Sequence, residues 1–383
     1  MKNKVTNFLP TQYKITESLP INHNYLRKQF EDSEAIFRDI KKLNKNTDYT
    51  LGKKVDEVEK KFSKITNCKY AIGVGSGTDA ITLSLKSLDI SFGDEVITPA
   101  YTFYATVGAI VQSGATPVFV DISNDLNINV NEIEKLITKK TKAIVPVHWS
   151  GQICDMIKLH KLAKKYNLKI VEDACHAIKA TRDGYKAGKY SNTACFSMHP
   201  LKNLNVWGDG GFIVTNSKKL YEKLLLQRNH GLIDRNTCKI FGGNSRLDTI
   251  QAIVASHLLK KLENITQQRI KNAKYFDKKL SKIKNIKTPE RYEKSRHVFH
   301  IYNILVEDRD KLKSYLIARG IDAKVHYPIP MHLQPAAKKL NYKRGDFPNS
   351  EKVCKKVLSL PVHEFITKKQ LDYTINCIQE FYK

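Results

Sequence analysis

The 383-residue sequence contains no apolar run approaching the ~18 residues that a membrane-spanning helix needs, which argues against a membrane protein. Its opening, Met1-Lys2-Asn3-Lys4-Val5, has lysines but no continuous apolar stretch behind them, so no secretory leader is expected and the chain reads as soluble and cytoplasmic. No two of its seven cysteines (Cys68, Cys154, Cys175, Cys195, Cys238, Cys354 and Cys377) form a C-x-x-C pair. That argues against zinc and dithiol redox motifs, and no metal is expected. Scattered single cysteines fit small apolar fillers in a reducing compartment. Acid is scarce: 38 Asp and Glu face 65 Lys and Arg, a formal net charge of +27. The basic residues form no run of five and have no regularly interleaved aromatics, so they read as solvated faces rather than a nucleic-acid interface. A positive field of this kind still draws in small anionic substrates. Internal repeats and low-complexity linkers are absent.

From about residue 50, short apolar runs alternate with helix-like segments. Tyr70–Val74, Glu95–Thr98, Pro117–Asp121, Ala143–Val147 and Lys169–Asp173 read as strands. Asp79–Ser87, Thr106–Gln112 and Met156–Tyr166 read as the helices between them. Strands alternating with helices predict an α/β architecture with a mostly parallel sheet covered on both faces. The pattern changes after about residue 260. Lys260–Leu280 reads as a long polar helix, followed by a smaller α/β unit with strands at His300–Val306 and Ala323–Tyr327 and helices at Asp310–Arg319 and Lys368–Tyr382. The division expected is an N-terminal segment, 1–50, packing near the small domain or a partner subunit, a large domain over 51–262 and a small one over 263–383.

Three constellations carry chemistry. Ser76-Gly77-Thr78-Asp79 joins a strand to a helix. It is either an ordinary N-cap or a phosphate site made of free helix N–H groups and a glycine turn. Asp173 ends a buried strand, where ligands of open α/β sheets bind. It either caps the next turn or faces the ring nitrogen of a pyridine cofactor. In the second case the attraction between unit charges at ~3 Å and a dielectric of ~20 is about 5 kcal/mol before desolvation, enough to keep that nitrogen protonated. His176, three residues on, is either structural or a donor to a phenolic oxygen. Lys202 lies just past a strand, five residues after Ser197 and shortly before the pair Gly210-Gly211. A buried lysine there has a lowered pKa and is placed to form a Schiff base with a phosphate-bearing aldehyde, with Ser197 donating to the phosphate. Phe103, after the strand ending near Thr98, is either core or a ring stacked on the cofactor. Taken in order, these sites point to pyridoxal 5′-phosphate.

With them assembled, the chain resembles the DegT/StrS family of PLP-dependent nucleotide-sugar aminotransferases over about Leu51 to Phe381. The matching landmarks are Ser76–Ala80, Pro99–Thr106, Val147–Gln152, Glu172–Ala174, Ser197–Gly211, Arg228–Gly231, Gly243–Asp248, and His326-Tyr327-Pro328 with His332 and Gln334. The resemblance implies the type I PLP-dependent transferase fold and a homodimer with shared active sites. It places Lys202 as the Schiff-base lysine, Asp173 as the pyridinium partner and His176 beside the phenolic oxygen. Gly77, Thr78 and Ser197 become phosphate contacts, Phe103 the aromatic over the ring, and Asn244 a phosphate contact given to the second subunit. His326, Tyr327 and His332 are expected to line the substrate rim. The implied reaction moves an amino group from glutamate, leaving 2-oxoglutarate, to a keto-sugar, most often nucleotide-linked, for amino-sugar and cell-surface glycan synthesis.

Met198 and Trp207 depart from the family pattern, and their nearness to the site in sequence predicts a reshaped sugar pocket. A sugar dehydratase of the same family carries histidine at the position of Lys202, so the lysine disfavours that reading. A non-catalytic regulatory member of the fold is disfavoured by the intact Lys202, Asp173 and Ser197 set.

Overall fold

The computed structural model describes residues 19–383. The first eight strands are Tyr70–Val74 (β1), Glu95–Pro99 (β2), Thr116–Val120 (β3), Thr141–Ile144 (β4), Lys169–Asp173 (β5), Thr181–Arg182 (β6), Thr193–Ser197 (β7) and Gly211–Thr215 (β8). All but β6 form one sheet in the order β1-β8-β7-β5-β4-β2-β3. Pairing is parallel from β3 through β7, while β8 runs antiparallel to both of its neighbours. The sequence predicts this mostly parallel α/β sheet because its central strands are apolar along their length, as strands covered on both faces must be. Ile72, Val74, Val96, Ile97, Ile144, Val171 and Cys195 are all fully buried.

Register decides where chemistry can gather. Gly211 of β8 pairs with Val74 on one side and with Ser197 on the other. The exit from β1 into the helix Gly77–Ser87 therefore lies beside the end of β7. In the adjacent pair, Asp173 of β5 sits opposite Cys195 of β7. The carboxyl ends of β5 and β7 and the start of the Gly77–Ser87 helix thus share one edge of the sheet.

The remaining strands are Ile286–Lys287 (β9), Ser295–Arg296 (β10), Tyr302–Val306 (β11) and Val357–Leu360 (β12). β9, β11 and β12 form a second, antiparallel sheet in the order β12-β11-β9, and β10 pairs with β6. The helices Arg309–Ala318 and Lys368–Phe381 cover the second sheet, with Leu312, Leu316, Leu371, Ile375 and Ile378 in its core. Of the expected N-terminal segment, residues 1–18 lie outside the described residues. Ile21 bridges Ile321 in parallel, and the helix Glu34–Asn46 packs on the helix Thr249–Leu259.

Three sequence expectations are corrected. The helix read from Lys260 is the second of two, Thr249–Leu259 and Leu262–Leu280, with the break at Lys260-Lys261. The first buries Ala252, Ile253, Val254, Ala255 and Leu258 but also leaves Ile250 exposed, so its apolar residues follow no clear amphipathic period that would reveal it. The segment Ala323–Tyr327 is no strand: its only ladder contact is the bridge Lys324–Ser359. Pro328 and Pro330 follow it and lack the donors that a continuing strand needs. The strand expected over Ala143–Val147 ends at Ile144 because Pro146 has no N–H to give the ladder.

Candidate active site

A cavity of about 350 Å³ opens at that shared sheet edge. One wall comes from the large sheet and carries Gly77, Phe103, Asp173, His176, Ser197 and Lys202; the other carries His300, Lys324, His326 and Tyr327.

Lys202 follows β7 through a left-handed residue, Leu201, at φ 73°. Tyr25 fixes the backbone there: its hydroxyl donates to the carbonyls of Leu201 and Lys202, each at 3.1 Å. Asn205 Nδ2 also donates to the Lys202 carbonyl, at 3.0 Å. The side-chain amine faces the cavity, and no hydrogen bond or ion pair reaches it among the described residues. Burial pushes its pKa below the ordinary lysine value, opposed by the nearby Cys175 and Asp173. An amine held this way gives up its proton more easily than a solvated lysine.

Asp173 is buried, and each of its carboxylate oxygens has one donor. Thr106 Oγ1 donates to Oδ2 at 2.7 Å, and the Cys175 N–H donates to Oδ1 at 3.1 Å. His176 stands next to it, with its ring against His300 at 4.3 Å and Trp149 at 5.3 Å. The Ser150 N–H donates to His176 Nδ1 at 3.3 Å, so that nitrogen is the acceptor and the proton sits on Nε2. Burial, with Lys202 nearby, drives the His176 pKa well below the usual histidine value. The ring is therefore a neutral Nε2–H donor at physiological pH.

Ser76 caps the helix Gly77–Ser87 by accepting from the Asp79 N–H at 3.0 Å. The ordinary-cap reading of this segment is thus right for the Ser76 hydroxyl. It leaves the first amides, those of Gly77 and Thr78, without partners inside the helix. The helix start sits against Ser197, whose Oγ accepts from the His199 N–H at 3.2 Å. Glycine is required for that approach. A Cβ on Gly77 would lie 2.7 Å from Ser197 Cβ and 2.9 Å from Cys175 Sγ, and one on Gly211 would lie 2.4 Å from the Ser76 carbonyl oxygen. Two free amides and a hydroxyl at a helix N-terminus fit a phosphate. A carboxylate, an imidazole donor and an unpaired amine stand on the same cavity. That donor set fits pyridoxal 5′-phosphate, with Lys202, Asp173, His176, Gly77, Thr78 and Ser197 available to hold it.

Phe103 is partly exposed and clusters with Tyr104 and Tyr327, at ring distances of 5.2 Å and 5.5 Å. His326 lines the cavity and bonds Ser359 Oγ through Nδ1 at 2.9 Å, and burial pushes its pKa down to about 3. Two sequence-predicted residues stand apart. His332 lies off this chain's cavity: its Nε2 is 3.1 Å from Glu351 Oε1 and its ring meets Phe347 edge-on. Asn244 is exposed, accepts from Arg246 Nε at 2.9 Å, and is outside this chain's cavity lining. Met198 and Trp207 do not line this cavity; Met198 is fully buried, and Trp207 packs on Phe30 and Phe37.

Sequence reasoning missed Thr106, Tyr25, Lys324 and His300. Thr106 had a signal, four residues after Thr102 at a helix start facing the β5 end. Tyr25 had none, since it meets Lys202 across 177 residues of chain.

Among the described residues, no cluster of His, Cys, Asp or Glu is arranged to hold a metal, and no helix is long and apolar enough to cross a membrane. A model of the DegT/DnrJ/EryC1/StrS aminotransferase family matches residues 31–379. A protein of Geobacillus stearothermophilus named pleiotropic regulatory protein is 39% identical over 94% of this chain and 97% of its own length. The dTDP-3-amino-3,6-dideoxy-alpha-D-galactopyranose transaminase of Aneurinibacillus thermoaerophilus is 39% identical, covering 87% of this chain and 91% of its own. The crystal structure of S. venezuelae DesV in complex with a ketimine intermediate superposes with a TM-score of 0.89 at 36% identity, over 94% of this chain and 96% of that one.

Proposed function

This chain belongs to the DegT/DnrJ/EryC1/StrS aminotransferase family, and from that premise we propose that it transfers an amino group from glutamate to a nucleotide-linked keto-sugar. The observation that carries the reading is Lys202: a half-buried, unpaired amine on the same cavity as the hydrogen-bonded carboxylate of Asp173. The transaminase name of the Aneurinibacillus relative, a dTDP-linked amino-sugar enzyme, supports the acceptor class.

Pyridoxal 5′-phosphate, when bound, supplies an aldehyde for amine exchange and a protonated ring that accepts the electron pair released at the substrate carbon. Lys202 would hold the aldehyde, and its Nζ, facing the same cavity, would serve as the base that moves a proton at the donor α carbon. Its lowered pKa suits both roles. Asp173 would face the ring nitrogen, and the neutral His176 would donate Nε2–H to the phenolic oxygen. The Gly77 and Thr78 amides and the Ser197 hydroxyl would hold the phosphate, Phe103 would lie over the ring, and His326 and Tyr327 would border the donor or sugar. Asn244, exposed at the end of its loop, completes the phosphate site of a second subunit in a homodimer. The protein works in the cytoplasm, and its partners are glutamate, 2-oxoglutarate and the keto-sugar, with no nucleic acid.

The test is spectroscopic. Purified protein incubated with the cofactor develops an absorbance band distinct from the free aldehyde, glutamate bleaches it, and a nucleotide-linked keto-sugar restores it. A protein whose spectrum equals that of free cofactor, or whose band ignores glutamate, contradicts the reading.

A further inference from the structure

The Asp173 carboxylate is 7% exposed, and no cation lies within ion-pair distance of it among the described residues. It accepts from two donors, the Cys175 amide and the Thr106 hydroxyl. Thr106 is an unusual helix threonine. Threonines inside helices commonly return their hydroxyl to the carbonyl four residues back. Thr82, Thr266 and Thr374 do so here, bonding Thr78, Leu262 and Gln370 at 3.1, 2.7 and 2.8 Å. Thr106, in the helix Tyr104–Gln112, instead reaches across 67 residues of sequence to Asp173. Thr102 Oγ1 lies 2.8 Å from Thr106 Oγ1. A carboxylate only accepts, so the direction of both bonds is fixed: Thr102 donates to Thr106, and Thr106 donates to Asp173. All three side chains are at least nine-tenths buried, and Thr106 is fully so.

We propose that Thr106, backed by Thr102, is a positioning residue that fixes the orientation of the Asp173 carboxylate and thereby sets the protonation of the cofactor ring nitrogen. The inference rests on the cofactor site proposed above. The bond to an ionised acceptor in a dry setting is of the stronger kind, and the Thr102 donor polarises it further. The other titratable groups that feel Asp173 are Lys202, Cys175, Cys195 and Tyr327. Burial raises the two thiols and the phenol, so they stay neutral, and Lys202 is bonded to the cofactor in the holoenzyme. None of them replaces the lost donor.

The experiment uses holoenzyme reconstituted with cofactor carrying ¹⁵N at the ring nitrogen. In the wild type the nitrogen resonates as protonated through neutral pH. In Thr106→Val, close in shape but without the hydroxyl, the resonance moves toward the unprotonated position and the cofactor dissociation constant rises about tenfold or more. Thr106→Ser restores both, and Thr102→Val shifts both in the same direction by less. Thr106→Ala replaces the valine variant if that one does not fold. A valine or alanine variant that folds with wild-type resonance and affinity overturns the proposal, as does one that loses stability alone. A wild-type protein that binds no cofactor overturns the underlying function instead.

Discussion

Gly77→Ala and Gly108→Ala add the same methyl group to two helices and are expected to have opposite effects. Gly77 opens the helix Gly77–Ser87, and its new Cβ would meet Ser197 Cβ at 2.7 Å, Cys175 Sγ at 2.9 Å and Ser197 Oγ at 3.2 Å. Ser197 Cβ is fixed to the end of β7 and cannot swing away, so helix and strand must part. Overpacking of this kind costs about 1–3 kcal/mol, offset by at most ~1 kcal/mol of helix propensity. The net loss expected is about 1–2 kcal/mol. Parting the helix start from Ser197 also separates the donors of the phosphate site. Gly108 lies inside the helix Tyr104–Gln112 with nothing within 4 Å of its would-be Cβ, so alanine there is expected to stabilise by about 0.5–1 kcal/mol. Urea unfolding of the two apo proteins reads the stabilities, and equilibrium titration with pyridoxal 5′-phosphate reads the site. Gly77→Ala is expected to weaken cofactor binding at least tenfold and Gly108→Ala to leave it unchanged. A Gly77→Ala protein with wild-type stability and affinity refutes the close-approach argument.

Arg228→Met is expected to destabilise by about 3–5 kcal/mol in denaturant titration, because it strands the buried Glu59 carboxylate, 2.5 Å from Arg228 Nη1, with only the Gly73 N–H at 2.8 Å; a loss below ~1 kcal/mol contradicts this. Stability is also expected to fall on acidification below about pH 6.5. His23, His176, His297, His300, His326 and His363 all have folded pKa values pushed down by burial, His326 and His363 to about 3. The unfolded chain takes up their protons first, so each contributes up to about 1.4 kcal/mol of lost stability per pH unit between its unfolded and folded values. Unfolding free energies that stay flat from about pH 7 to about pH 5 contradict the burial of these rings.

How much of the site could be read from the chain follows from how local each signal is. Asp173 ends a strand and Lys202 and Gly77 each sit just past one, and the ends of parallel strands converge, so their meeting at one cavity follows from pattern and topology. Thr106 and Tyr25 serve those same groups through hydrogen bonds across 67 and 177 residues, a span over which no periodicity carries information. His332 stands apart from this chain's cavity for the opposite reason. It follows Tyr327 closely in sequence, but a 3-10 turn at Met331–Leu333 carries it to Glu351 instead. The helix Thr249–Leu259 escaped because its apolar residues are spread around the helix, Ile250 exposed and Ala252 to Ala255 buried, which blurs the period that marks a helix, and Ala323–Tyr327 looked like a strand because its apolar alternation is real while the prolines beyond it stop a ladder.

Borohydride reduction of the cofactor-loaded protein, followed by proteolysis and peptide mass analysis, tests the central claim most directly. The account predicts one reduced cofactor per chain, attached at Lys202. Attachment to another of the chain's many lysines, or no attachment while the cofactor is bound, contradicts it.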